Sequence, residues 1–306
     1  MRNFIAIAKE IYRFHYPPEA RRGVVFIVRA YLHYVALNHL CHFFESDASR
    51  REVFVHNKFP IEQATRAFFY KDSTLQERIQ LIREHFEILE ATLRPEIWQG
   101  FYTGKRFPIW HFANADAETI HWYAEIAFES GQRKEGLLAV MMHFQGVTLY
   151  QIMFWLAYDA NGNKSLYIGA MQGPNVTHAK DLIKEATRLA HRYRTKNLIL
   201  YITQAIARAL GVQRIYAVSN AGYYANNHLR RDRKLKTNFG SFWEEIGGRA
   251  LIQNPNDAYF YELPLTETRK TMEEVPTRKR AVYRRRFLFQ DDVDAQVAQN
   301  VATWLQ

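Results

Sequence analysis

Apolar positions along this chain follow two different periods, and the change between them falls near residue 135. Early on, Ile5, Ala8, Ile11 and Tyr12 recur at helical spacing until Pro17-Pro18 ends the run. Residues 21–44 predict one longer helix, whose apolar stretch is interrupted by Arg29, His33 and Asn38. Thr74 and Glu77 form a capping box ahead of Ile79, Leu81, Ile82, Phe86 and Leu89, and Pro95 interrupts that helix. Residues 115–130 predict another helix, ended near Gly131. Residues 1–134 are therefore expected to form a helical N-terminal region.

From Gly136 the pattern turns to β. Residues 137–144 and 148–158 are rich in β-branched, aromatic and Met side chains, and the Asn161-Gly162 pair signals a hairpin into a strand at 166–171. After the turn Gln172-Gly173-Pro174, residues 175–193 carry Ala179, Leu182, Ile183, Ala186, Leu189 and Ala190 at helical spacing. A second helix is expected at 197–210, a strand at 212–218, a short helix at 242–246 and a last strand at 259–263. The fold class is α+β in α/β-type layers: the helical region packs on a mixed, mainly antiparallel sheet in residues 135–306, which end in a basic segment.

Composition narrows the function classes. With 48% hydrophobic and 15% aromatic residues in 306, a sizeable core is expected and disorder is excluded. Forty-one Lys and Arg against 31 Asp and Glu leave +10, which favours an acidic small molecule or anionic lipid as partner. The single cysteine, Cys41, excludes an intramolecular disulfide. Charge breaks every apolar stretch before the roughly 20 residues that a spanning helix needs. A cytoplasmic protein is expected, with peripheral contact to the inner membrane left open.

Four stretches carry a family resemblance: Tyr167-Ile168-Gly169-Ala170-Met171-Gln172-Gly173-Pro174, Ala217-Val218-Ser219-Asn220, Phe242-Trp243, and Lys279-Arg280-Ala281-Val282-Tyr283-Arg284-Arg285-Arg286. They resemble the VirK/YbjX family of Gram-negative bacterial proteins over nearly the whole chain. The resemblance implies a role linked to virulence, envelope stress and tolerance of cationic antimicrobial peptides, and no established chemistry. The C-terminal half also resembles the GNAT acyltransferase fold, through the junction Leu210-Gly211-Val212-Gln213-Arg214-Ile215-Tyr216 and through Trp243-Glu244-Glu245-Ile246-Gly247-Gly248. That likeness implies acyl-CoA or acyl carrier protein as donor. The chain departs from it in two ways. Trp243 stands where such enzymes often place an acidic tyrosine, and indole protonates no thiolate at neutral pH. Gln172-Gly173-Pro174-Asn175 lacks the glycine spacing that grips a pyrophosphate.

Candidate residues follow. Gln172, Gly173 and Asn175 would offer free N–H groups to an anion at a helix start, the alternative being an ordinary turn with Pro174 near that start. The polar, basic stretch 220–238 supplies Asn220, Arg230 and Arg231 as ligand contacts and Tyr223 as a proton donor; otherwise it is a solvated loop. Trp243 is the remaining ligand-facing candidate. His143 and His178 are candidate general bases, although a lone histidine is more often structural. No metal site is expected, because His39, Cys41 and His42 lack a second pair at ligand spacing. The arginines at 278–286 would draw anionic lipid, or else pair with Asp291 and Asp292; nucleic acid is disfavoured for want of a recognition motif. Two functions remain open: an acyl-transferring enzyme, or a non-catalytic protein using a basic surface on anionic lipid or a protein partner. Trp243 favours the second.

Overall fold

The computed structural model describes residues 2–112, 121–226, 238–252 and 259–306. Seven helices come first: α1 (Phe4–Ile11), α2 (Pro17–Leu32), α3 (Tyr34–Glu45), α4 (Ala48–His56), α5 (Phe59–Thr65), α6 (Leu75–Thr92) and α7 (Pro95–Tyr102). Five strands follow: β1 (Phe107–His111), β2 (Trp122–Ala127), β3 (Leu138–Phe144), β4 (Val147–Tyr158) and β5 (Lys164–Gln172). After them come α8 (Ala179–Leu189), α9 (Thr195–Ala209), β6 (Arg214–Val218), α10 (Phe239–Glu245), β7 (Arg249–Ala250), β8 (Phe260–Leu263) and α11 (Arg280–Ala302). The fold is α+β.

All eight strands lie in one sheet, in the order β1-β2-β3-β4-β5-β6-β8-β7. Neighbours run antiparallel except β5 and β6, which are parallel and joined through α8 and α9. Residues 152–157 of β4 are buried without a break, so the sheet is covered on both faces there. Nearly all of α9 is buried, and it packs on β3 and β4 and against α11.

Local signals explain most element ends. Thr74 and Glu77 close the capping box at the start of α6, and Pro95 opens α7. The hairpin between β4 and β5 turns at Gly162, whose φ of +78° a residue with a Cβ rarely adopts.

Three expectations are corrected. The helix expected at 21–44 is two helices, bent by 98° at a break at His33. The bend brings Leu37, Leu40 and Phe44 of α3 into the same core as Phe26 and Ala30 of α2. Within the helix expected at 115–130, Trp122–Ala127 is strand β2, because pairing with β1 and β3 overrides a helical pattern in a short segment; residues 113–120 lie outside the described residues. β1 and β2 thus lie in one sheet with the strands after residue 134. Third, the helix after Gln172 begins only at Ala179. Gln172, Gly173 and Asn175 therefore do not sit on a helix N-terminus. Among the described residues, no single helix is long and apolar enough to cross a membrane.

Candidate functional site

β5 and β6 pair only from Ser165–Arg214 to Ile168–Ala217, and β5 then continues to Gln172 paired with β4 alone. At this fork the chain places a buried carboxylate. Glu135 is 3% exposed; Gln172 Nε2 donates to it at 2.7 Å, and the Tyr223 hydroxyl donates to its other oxygen. Burial raises the Glu135 carboxyl above its ordinary range, against the pull of those two donors. It also raises the Tyr223 hydroxyl, with the Glu135 charge acting the same way.

The backbone around Glu135 is tightly held. Gln63 Nε2 donates to the carbonyls of Arg133 and Gly136. A Cβ on Gly169 would lie 1.8 Å from the Glu135 carbonyl oxygen, so only glycine lets the loop rest on β5. A third segment spans the fork: Phe69 N–H donates to Lys134 O, Lys71 N–H donates to Gly222 O, and Tyr70 bridges to Tyr223. Phe69 holds φ at +69° while fully buried, a backbone state that the surroundings must impose.

Of the expected site residues among those described, the structure brings Gln172 and Tyr223 together and disperses the rest. Gly173 and Asn175 are exposed, and His178 is an exposed residue at the start of α8 with no capping bond. Asn220 Oδ1 accepts the N–H groups of Phe239 and Gly240, tying the end of β6 to the start of α10. Trp243 is 0% exposed and its indole N–H donates to Val218 O, which leaves it no surface for a ligand. His143 stands on β3, facing Glu125 at 2.9 Å and the Thr148 hydroxyl at 3.2 Å. Burial would raise the Glu125 carboxyl, but His143 and Arg106 outweigh it and hold it low. Arg230 and Arg231 lie outside the described residues. In α11, Arg286 donates to the carbonyls of His191 and Arg192, while Asp291 pairs with Arg269 and Asp292 accepts from Gln296.

A second place was not anticipated. Trp155, Tyr167 and Tyr216 are in register across β4, β5 and β6 and stack in a row, with centroids 5.5 Å and 5.0 Å apart. Tyr70 continues the row beyond Trp155, and Phe260 meets Tyr70 and Tyr167 edge-on. These rings border a cavity of about 440 Å3, whose rim carries Glu77 and Glu84 of α6 and Asp159 of the hairpin. Among the described residues, no Lys, Arg or His lines it. Burial pushes the Asp159 carboxyl up, but donors from Asn163, Asn161 and Tyr216 hold it below its usual range, so it is charged at neutral pH. The Thr74 and Tyr70 donors likewise outweigh burial at Glu77. The Tyr216 hydroxyl is pushed up to about 12 by burial and by Asp159. Trp155 lies in a strand of mixed apolar character, and only the register shows that Tyr167 and Tyr216 are its neighbours. The row was invisible without the pairing.

α6 is placed by the unequal lengths of two strands. β4 extends past the last β3 pair, Leu138–Phe154, and the exposed edge is capped by side chains: Leu156 N–H donates to His85 Nδ1 and Tyr158 N–H to Glu84.

Comparison with known proteins agrees on a family and on no activity. The chain is 25% identical over 236 residues to the uncharacterized protein YbjX of Escherichia coli strain K12, a match covering 76% of this chain and 69% of that relative. Two uncharacterized proteins of Haemophilus influenzae are 24% and 27% identical over 143 and 135 residues, or 47% and 44% of this chain; the matches span 46% and 43% of those relatives. No solved structure matches. The sequence profile described as "Protein of unknown function (DUF535)" covers residues 17–299, and the chain belongs to that family.

Proposed function

We propose that this chain is a ligand-binding protein, that its site is the aromatic cleft, and that its ligand carries a protonated amine or guanidinium on an apolar body. One observation carries the reading: a chain of net charge +10 keeps a cavity on whose wall the described residues place three carboxylates and no basic residue. Both faces of Trp155 and of Tyr167 are covered by neighbouring rings, so the row turns edges and hydroxyls to the ligand. Hydroxyl and carboxylate oxygens accept hydrogen bonds, which favours an N–H cation over a quaternary one. Such groups are what a cationic peptide presents, in agreement with the role that the VirK/YbjX resemblance implies.

The test uses phenethylamine and phenylpropionate, which share a ring and differ in the sign of the charge. Trp155 fluorescence should respond to the amine and not to the acid. Asp159→Asn and Glu84→Gln should each weaken the amine by about tenfold, the equivalent of roughly 1.4 kcal/mol. Equal responses to both compounds would reject the reading.

A second reading, acyl transfer on a GNAT-like sheet, is supported by the strand order and by the carboxyl group at the fork. In it, Glu135 takes the proton of the acceptor nucleophile. The new acyl bond forms as the carbon–sulfur bond to coenzyme A or acyl carrier protein breaks, and Tyr223 protonates the thiolate. The segment at 69–71 spans the fork where the donor would enter, so this reading requires that segment to move. Acyl-CoA hydrolysis or transfer that disappears in Glu135→Gln would favour it; absence of acyl-CoA binding would exclude it.

A further inference from the structure

Helix α2 and the start of α3 carry an apolar face that no part of the described residues covers. At 100° per residue along α2, Val24, Val28 and Leu32 lie within about 80° of one another. They are 55%, 54% and 75% exposed, and Val35 at the start of α3 is 66% exposed. Arg21 falls among them. The buried face of the same helix, Gly23, Phe26 and Ala30, lies on the opposite side. Between the two faces run Arg22 and Arg29, seven residues apart and so nearly superposed along the axis. A helix that is apolar both inward and outward, with arginines along the seam, has the pattern of an interfacial helix.

The seam opens on a pocket of about 210 Å3. Its wall brings Arg22 and Arg29 together with Arg66, Arg133 and Lys134, against one carboxylate among the described residues, Glu62. Glu62 is 1% exposed and already committed: it accepts the Tyr12 hydroxyl at 2.6 Å and Arg133 Nε at 2.6 Å. Arg133 is committed in turn, its Nη1 donating to Ser130 O. Arg66 is held more loosely: its Nη1 is buried, forms only a long ion pair with Glu62 at 4.0 Å, and has no hydrogen-bond partner. A buried donor without an acceptor is destabilising, and the guanidinium groups of Arg22, Arg29 and Arg66 on one wall repel one another. A multiply charged oxyanion in the pocket would relieve both, and guanidinium groups suit phosphate geometry.

We infer that this face docks on an anionic phospholipid surface, with Val24, Val28, Leu32 and Val35 entering the acyl boundary and the arginine pocket holding a phosphate headgroup. The apolar stripe and the phosphate-sized basic pocket adjoin on one helix, which is the arrangement that a bilayer surface presents in complement. The inference is independent of the aromatic cleft, whose lining shares no residue with this pocket.

The experiment is co-sedimentation of the full chain with vesicles of phosphatidylglycerol and phosphatidylcholine, beside vesicles of phosphatidylcholine alone. Binding to the first and not the second is expected, weakening as salt rises. Val28→Ser/Leu32→Ser should reduce the bound fraction at least tenfold, as should Arg22→Ser/Arg29→Ser. All four residues leave the core intact on replacement, which an unchanged melting temperature will confirm. Arg66→Met removes the orphaned donor and should weaken binding. Binding that survives either double substitution, equal binding to both vesicles, or no binding would overturn the inference. So would self-association of the free chain that Val28→Ser/Leu32→Ser abolishes, since a second copy would then be the occupant. Inorganic pyrophosphate binding of the same strength in wild type and Arg22→Ser/Arg29→Ser would remove the pocket from the docking surface.

Discussion

The imidazole of His85 accepts the backbone N–H of Leu156 at 2.9 Å, and its other nitrogen lies 2.6 Å from the Tyr102 hydroxyl. Accepting at Nδ1 places the proton on Nε2, so the neutral tautomer is defined by its partners. Burial lowers the His85 pKa from 6.5 to about 3. A base whose folded pKa is depressed stabilises the fold above its unfolded pKa, and loses that contribution as pH falls toward the folded value. Between pH 6.5 and about 3 the chain should therefore lose roughly 1.4 kcal/mol of stability per pH unit through this residue. His85→Leu removes the titration and leaves the Leu156 N–H without an acceptor. It should be about 1–3 kcal/mol less stable at neutral pH, with the gap to wild type closing in acid. Denaturant titrations across that pH range measure both; a constant gap would refute the assignment.

Glu135 behaves in the opposite sense. Its folded-state pKa is raised, because burial opposes the charged form more than the Tyr223 and Gln172 donors support it. Its contribution is complete below the unfolded carboxylate pKa and is lost as pH rises through the folded one. Glu135→Gln keeps the shape without the charge. Its melting temperature relative to wild type should climb as pH rises above the ordinary glutamate pKa of about 4.3. A difference that does not change with pH would show that burial does not set this group's titration.

Gly169→Ala should be among the most damaging single-methyl changes in the chain. The added carbon would meet backbone, the Glu135 carbonyl, at 1.8 Å, and backbone cannot rotate away as a side chain can. A loss of about 3 kcal/mol or more is expected, at the upper end for overpacking. Gly146→Ala is the contrast: no atom lies within 4 Å of its added carbon, and only the φ of +78° opposes it. Comparable thermal stability of the two variants would refute the close approach.

Arg133→Met should cost about 3–5 kcal/mol, because Glu62 stays buried and keeps only the Tyr12 hydroxyl and the more distant Arg66. Combining it with Glu62→Gln removes the uncompensated charge and should recover part of that loss. The double-mutant cycle reads the coupling, and strict additivity would show that the two residues do not act as a pair.

What the sequence determined by itself was the local grammar. Thr74 with Glu77 started α6, Pro95 started α7, and Asn161-Gly162 turned β4 into β5, because capping and turn chemistry act within four residues. Period alone also gave the strands from residue 138 to 172 and the α+β class. Gln172 and Tyr223 were legible as polar residues at strand ends, and the fork does bring them together. Their shared partner was not legible. Glu135 sits in a charged, unpatterned stretch, and it becomes a buried carboxylate only because Gly169 and Gly136 let its loop lie on the sheet. β2 was misread as helix since six residues carry too little periodic signal, and pairing on both sides decides such a segment. The row Trp155, Tyr167, Tyr216 depends on the register of an antiparallel and a parallel pair, its last two members lying 49 positions apart. Only tertiary structure could set that register, because no local interaction links residues so far apart. For the same reason it alone decided that the face of α2 beside Arg22 and Arg29 stays open to solvent while the other closes on the core.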